Sequence, residues 1–243
     1  MKSVAEALHK HHPNYYFLID RDHHHDHNFI EKCWKNFPDP TTDNLLVWFR
    51  RELENYFLIP DYLLKSQYIT VSEDELRQHI RDTFQERLYL ETVNHVIVYI
   101  RESLKNKWIE LFEKPTEFRT KDEAIAKLVN MPAFTVPMTK MTHLSSQDKL
   151  KELFDEFLEL FTDNKKTLEF GCGQWQQLMR GKKVLPRIIN RCFQVKDAQG
   201  KFLQGKTKLN QIAKNLVRKP IKEQPDDFQR LYDIIYHRII SSN

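Results

Sequence analysis

The first fifty residues constrain the fold most strongly, because two short apolar runs flank a segment with helical periodicity. The runs are YYFLI (15–19) and LLVWF (45–49), and NFIEKCWKNF (28–37) places its apolar residues at helical intervals. Short apolar runs that end at polar residues are typical of strands buried in a parallel sheet. The order strand, helix, strand therefore predicts a βαβ unit with two parallel strands.

The rest of the chain is predicted to be mainly helical. SSQDKLKELFDEFLELF repeats its apolar residues along one stripe of a helix (150–161), and the later stretch GQWQQLMRGKKVLPRIINRCF holds one or two helices, broken near Gly181 or Pro186. Glycine occurs five times in 243 residues, which disfavours a fold made of many short strands and turns. The expected class is α/β, dominated by helices, with a partial Rossmann-like parallel sheet. We expect three parts: an α/β unit at 1–70, a helical insertion at 71–162, and a basic helical segment at 163–243 that packs back on the α/β unit.

The charge is distributed unevenly along the chain. Residues 165–222 carry 15 lysines and arginines but only two acids, whereas the remainder is acidic. Such a segment favours a polyanion such as DNA as the partner. A solvated helical face with spare lysines is the alternative. The candidate nucleic-acid-binding residues are Lys182, Lys183, Arg187 and Arg191.

Two aspartates, Asp20 and Asp22, follow the first apolar run. Residues at i and i+2 of a strand point to the same face, so both carboxylates would project from the carboxyl edge of the sheet. Open α/β folds bind their ligands at that edge. Two close carboxylates favour a cation between them, and hard oxygen ligands suit Mg²⁺ or Mn²⁺.

Further polar residues follow the second apolar run, in RRELENYFL. Glu52 and Glu54 are candidates for metal ligands or for anchors of a ligand, but acids also favour a helix N-terminus. Near the C-terminus, LMRGKKVLPRI presents Lys182 and Lys183 after a glycine. Such a lysine would bind phosphate or stabilise developing negative charge, although the same letters also describe an exposed turn.

The histidine-rich stretch HHHDH (23–27) follows the aspartates. His23 and His27 are four residues apart and would chelate zinc if the stretch were helical. Solvated histidines, or adventitious binding of soft metals, are the other interpretation.

These motifs, in this order, resemble the TOPRIM-type region of OLD-family proteins and related AAA-ATPase-associated bacterial proteins. The resemblance rests on FLIDRD, WFRRELENYFL and MRGKKVLPRI, and covers roughly residues 5–190. It implies a magnesium-dependent DNA nuclease centre, often used in phage defence. By position, it implies Asp20, Asp22, Glu54 and Lys182 as catalytic residues, and Asp20, Asp22, Glu52 and Glu54 around the metal.

The sequence departs from this family before the D-R-D motif. A TOPRIM unit normally begins with a strand bearing an acidic residue, in an E-G-x-x-D pattern, and this chain has only 14 residues before YYFLI. We expect a C-terminal piece of a longer protein, a degenerate relative, or a site completed by another chain, such as an ATPase-bearing segment or a second copy in a homodimer. Activity alone is expected to be weak or nil.

Two further expectations concern the compartment and the alternative function. Three widely spaced cysteines without a CxxC pair favour a reducing, cytoplasmic environment, and no apolar run is long enough to span a membrane. The alternative to a nuclease is a non-catalytic helical module that binds nucleic acid or protein partners of an ATPase.

Overall fold

The structure, a computed structural model, describes residues 7–9, 11–12, 15–21, 27–39, 44–103, 109, 111–135 and 146–240, with side chains to residue 237. The chain divides into two compact units. The first combines Met1–Arg77 with Arg180–Asn243, and the second is Gln78–Met179. The divisions predicted from the sequence lie at 70/71 and 162/163. In the structure, residues 163–179 fall in the second unit.

Helices dominate the described residues, and one pair of strands accompanies them. The regular elements are, in chain order, β1 (Phe17–Ile19), α1 (His27–Asn36), β2 (Leu45–Val47), a 3-10 helix (Leu53–Leu58), α2 (Pro60–Leu63), α3 (Glu73–Gln85), α4 (Leu88–Ser103), a 3-10 turn (Pro115–Glu117), α5 (Lys121–Val129), α6 (Pro132–Thr135), α7 (Gln147–Thr162), α8 (Trp175–Leu178), α9 (Gly181–Cys192), α10 (Gly205–Val217), a 3-10 turn (Ile221–Glu223), α11 (Asp226–Ile234) and a π-helical turn (Ile235–Ile240).

The predicted βαβ order is present in the first unit. β1 and β2 pair in parallel, with Phe17 opposite Leu45 and Ile19 opposite Val47. β2 is buried throughout, as expected, but β1 is not, since Leu18 is exposed. Within the described residues β1 pairs with β2 alone, so one of its sides has no neighbouring strand to cover it.

The core of the first unit joins the βαβ segment to the C-terminal helix. Trp34 of α1 is buried, and its Nε1 donates a hydrogen bond to the Val47 carbonyl oxygen at 2.7 Å. From α11, Phe228 packs against Trp48 and Tyr56, with ring centroids 5.3 and 4.9 Å apart. Helix α11 therefore packs on the α/β part of the first unit.

The second unit is a helical bundle built on the stripe predicted for α7. Ser146 begins this helix by accepting a hydrogen bond from the Lys149 N–H, at 3.3 Å. Leu150, Phe154 and Phe161 are buried, and the first two pack with α4 and α5. Among the described residues, no helix is both long enough and apolar enough to cross a bilayer.

Candidate functional site

Asp20 lies at the carboxyl end of β1, at the sheet edge where a ligand site was predicted. Its Oδ1 accepts a hydrogen bond from the backbone N–H of Leu53 at 3.2 Å. Leu53 is the first residue of the 3-10 helix that follows β2. The segments leaving the two parallel strands are therefore in direct contact, as expected when parallel strands end at the same edge.

Arg21, between the two aspartates of D-R-D, has a structural role. It is buried, and its Nη1 donates to the Phe49 carbonyl oxygen at 2.9 Å. This bond ties the chain leaving β1 to the chain leaving β2. Asp22 and His23, with the other residues through Asp26, lie outside the described residues.

Glu52 connects the second motif to the third. Its side chain is buried, and its Oε2 accepts the backbone N–H of Lys182 at 2.7 Å. Its Oε1 lies 3.9 Å from Arg180 Nε. Because the first N–H groups of a helix have no partner inside it, the carboxylate stabilises the beginning of α9. Glu52 therefore serves the N-terminus of a helix 130 residues further along the chain, and its side chain makes no cap hydrogen bond to the 3-10 helix that follows it.

Gly181 permits this close approach. It is the first residue of α9 and is buried. A Cβ added here would lie 2.5 Å from Asn55 Oδ1 and 2.8 Å from the Asn55 backbone nitrogen. Any side chain at position 181 would therefore push α9 away from the 3-10 helix. The sequence predicted a helix break near Gly181 or Pro186; the break precedes Gly181, and Pro186 lies within the helix.

Lys182 completes the contact among the three motifs. Its Nζ lies 3.2 Å from Asp20 Oδ2, across 162 residues of sequence. Burial lowers the pKa of Lys182, but the hydrogen bond to Asp20 and the charges of Glu52 and Glu54 outweigh it and raise the pKa overall. The ammonium group therefore stays charged at neutral pH beside this cluster of carboxylates.

Glu54 has a carboxylate oxygen that can still accept a ligand or a hydrogen bond. Its Oε2 is buried, with no hydrogen-bond partner among the described residues. Burial raises the pKa of Glu54, and the negative charges of Glu52 and Asp20 raise it further, against the opposing effects of a backbone hydrogen bond and of Lys182. Raised carboxyl pKa values beside a lysine are a common feature of functional sites.

The acidic side chains suit a hard cation in part. Asp20 and Glu54 offer carboxylate oxygens of the kind that Mg²⁺ and Mn²⁺ prefer, and the unpartnered oxygen of Glu54 would be satisfied by such an ion. Oε2 of Glu52 is instead engaged by the Lys182 N–H. Within the part of the chain that the structure describes, no group of three or more His, Cys, Asp or Glu side chains is arranged to hold a metal.

The predicted nucleic-acid-binding residues share α9 but not one end of it. Lys182 and Lys183 belong to its first turn, whereas Arg191 belongs to its last. Lys183, Arg187 and Arg191 are exposed. Sequence reasoning missed the roles of Arg180 and Asn55, and their only signal was their position beside G-K-K and within E-N-Y.

The three cysteines are free thiols, and Cys192 is buried.

No family model matches this chain, no curated protein matches it, and no solved structure matches it.

The unsatisfied carboxylate of Glu54 leads to a prediction about stability and pH. A carboxyl group whose pKa is raised in the folded state stabilises the fold only while it is protonated. As pH rises above the ordinary value of 4.5, the wild-type chain should lose stability relative to Glu54→Gln. Urea unfolding at pH 3.5 and pH 7 should show Glu54→Gln as the more stable protein at pH 7, with a smaller difference at pH 3.5.

The matched control is Glu156→Gln, which changes an exposed carboxylate on α7. Its effect on the free energy of unfolding should be the same at both pH values. A Glu54→Gln protein that is less stable than wild type at pH 7 would contradict the assignment of Glu54 as a destabilising carboxylate.

Proposed function

We propose that this chain is the TOPRIM-like portion of a magnesium- or manganese-dependent DNA nuclease that works with an ATPase domain or partner. The observation that supports it best is the Lys182–Asp20 contact. It joins the first and third motifs of the resemblance, Glu52 joins the second to the third, and the Leu53 N–H joins the second to the first. Three motifs that are separated in sequence are brought to one sheet edge, where catalytic groups of α/β proteins usually lie.

Each residue has a distinct part in the proposed site. Asp20 and Glu54 would hold the metal ion, with Asp22 as a further ligand. The ion, when bound, would activate water and neutralise the leaving oxygen of a phosphodiester. An ammonium group has three donors, and Lys182 uses one on Asp20, so the others would bind a phosphate oxygen. Glu52 positions Lys182 by accepting a hydrogen bond from the lysine's backbone N–H.

The proposed site requires a contribution from outside the described residues. The family's first acidic strand, which would add a further carboxylate, has no counterpart in this sequence. In the proposal, an ATPase-bearing segment, the product of an upstream gene or a second copy of the chain supplies it. The exposed side of β1 is where a further strand would pair.

The second candidate function is a non-catalytic module that binds nucleic acid or protein. It is favoured by the ion pair itself, since Lys182 neutralises Asp20 without a metal. Under this reading the carboxylates only hold α9 against the sheet edge, and the basic C-terminal segment binds the partner.

Metal binding separates the two functions. A Mn²⁺ titration followed by calorimetry should show binding by the wild-type chain, and Asp20→Asn should weaken it by about tenfold or more, as loss of groups that ligate or orient a metal commonly does. Asp233→Asn, an exposed aspartate on α11 of the same unit, is the control and should leave the affinity unchanged. If wild type binds neither Mn²⁺ nor Mg²⁺, and supplying the upstream segment does not change this, the nuclease proposal fails.

A further inference from the structure

A cavity lies in the first unit, at the C-terminal end of α9. It has a volume of about 280 Å³ and is lined by the last turn of α9, the following hairpin and the beginning of α10. Ligand pockets usually span about 300–1,000 Å³, so this cavity suits one fragment of a longer ligand. Its charged lining residues are Arg191 and Lys208, both basic, and Phe202 stands at its edge.

Lys208 is the unusual residue of this cavity. Only 5% of its surface is exposed, and its Nζ makes one hydrogen bond among the described residues, to the Asn190 carbonyl oxygen at 3.3 Å. Burial lowers the pKa of Lys208, although the nearby Cys192 thiol opposes this. A buried ammonium with three donors and one carbonyl partner is incompletely satisfied. An anion in the cavity would satisfy it.

The hairpin beside Lys208 holds an aromatic ring next to further positive charge. Lys196 and Phe202 form an antiparallel bridge, and the turn between them is fixed because Asp197 Oδ1 accepts the N–H groups of Gln199 and Lys201. Lys196 Nζ lies 4.9 Å from the ring centroid of Phe202. Even so, 47% of Phe202 is exposed, so part of the ring is open to a ligand.

The beginning of α10 adds partial positive charge. Its N-cap residue, Gln204, lines the cavity but makes no side-chain hydrogen bond to the helix. The first N–H groups of this 13-residue helix therefore lack a side-chain acceptor from their own cap. Since Gln204 lines the cavity, the N-terminus of α10 lies beside it, and its partial positive charge adds to that of the Lys208 ammonium in favouring an anion there.

We propose that this cavity binds the backbone of a single-stranded polynucleotide, with Lys208 and Arg191 on a phosphate and Phe202 against the neighbouring base. Cations combined with an exposed aromatic ring are the arrangement by which single strands are bound without sequence preference. The proposal rests on the proposed function in taking DNA as the polynucleotide, but it does not require cleavage.

The position of the cavity on α9 relates it to the first site. Lys182 and Arg191 are nine residues apart on one helix, which is roughly 13 Å along its axis at about 1.5 Å per residue. Nine residues also place the two side chains on opposite sides of the helix. A strand held in the cavity would therefore cross the exposed face of α9 to reach Lys182.

Equilibrium binding of fluorescein-labelled oligothymidylate to the full chain tests this proposal. Phe202→Ala should lower the affinity by about fivefold or more, as loss of a base–aromatic stack does. Arg191→Gln and Lys208→Met should each reduce the slope of log affinity against log salt, by at most about 0.7, the value for the one phosphate that both residues contact. Lys214→Gln, an exposed lysine of α10 outside the cavity, removes the same charge as control and should change the slope less.

The outcomes separate this proposal from the nuclease proposal. If Lys214→Gln weakens binding as much as Arg191→Gln does, and Phe202→Ala has no effect, the binding is diffuse and the cavity proposal is overturned. Arg191 and Phe202 are exposed, so their variants decide this even if Lys208→Met fails to fold. Cavity variants that weaken DNA binding in a chain that never binds Mn²⁺ would support the cavity and reject the nuclease.

Discussion

Gly181→Ala is expected to destabilise the first unit by about 1–3 kcal/mol, the usual cost of overpacking a well-packed contact. Helix propensity alone predicts the opposite, because alanine in a helix interior is favoured over glycine by about 1 kcal/mol. The contact should prevail, since the added Cβ would lie under 3 Å from both the side chain and the backbone nitrogen of Asn55, which is fully buried. The sign of the change is therefore the test.

The same substitution should also disturb the candidate site. Moving α9 away from the 3-10 helix would lengthen the Lys182 N–H to Glu52 hydrogen bond and separate Lys182 Nζ from Asp20. Urea unfolding should show a lower midpoint with an unchanged m-value, and Mn²⁺ affinity should change with it. Lys183→Ala, at the next but one position and exposed, is the control. A Gly181→Ala protein as stable as wild type would show that the close approach does not constrain position 181.

The parts of the fold that sequence predicted are those governed by local pattern. The βαβ unit followed from two apolar runs around a helical period, and the α7 stripe followed from its own spacing. Burial of β1 was predicted wrongly: β2 has the same single neighbouring strand and is buried throughout, whereas Leu18 of β1 is exposed. An apolar run shows that a strand can be buried, but not which of its faces other elements cover.

The parts that sequence could not supply depend on contacts between distant residues. The residue type of Glu52 does not predict which N–H group its carboxylate accepts, because a carboxylate can accept a hydrogen bond from any N–H in the protein. The boundary at 179/180 was not predicted, because residues 163–179 show little hydrophobic periodicity. Leu168 and Trp175 are nevertheless fully buried within the second unit. Trp175 packs there against Phe84, with 5.0 Å between the ring centroids.

Asp20 and Lys182 were named from motif order, and the structure brings them together. The distinction between Glu52 and Glu54 was not predictable, since both sit in one short motif two residues apart. Burial and the path of α9 separate them: one oxygen of Glu52 faces the N-terminus of a helix, whereas one oxygen of Glu54 has no partner among the described residues.

The largest effect on stability is expected in the second unit, from breaking the buried ion pair of Arg87 and Glu91. Arg87 Nη2 lies 2.7 Å from Glu91 Oε1, and the side chains are 6% and 0% exposed. Arg87→Met or Glu91→Leu alone should cost about 3–5 kcal/mol, because each removes the ion-pair partner of a buried charge. Since whole domains are stable by only about 5–15 kcal/mol, either single change should remove a large share of the unit's stability.

The double variant Arg87→Met with Glu91→Leu should recover most of that loss, because two apolar side chains of similar size avoid the desolvation cost of both charges. The Nε of Arg87 has no hydrogen-bond partner among the described residues, so the wild-type pair is itself incompletely satisfied. Urea unfolding of the four proteins gives the coupling free energy by a double-mutant cycle. The exposed pair Lys165 and Glu169, 3.8 Å apart at the same sequence spacing, is the control and should couple by less than about 0.5 kcal/mol. A coupling equally small for the buried pair would mean that water reaches Arg87 and Glu91 in the folded protein, and that the second unit is less tightly packed there than their burial indicates.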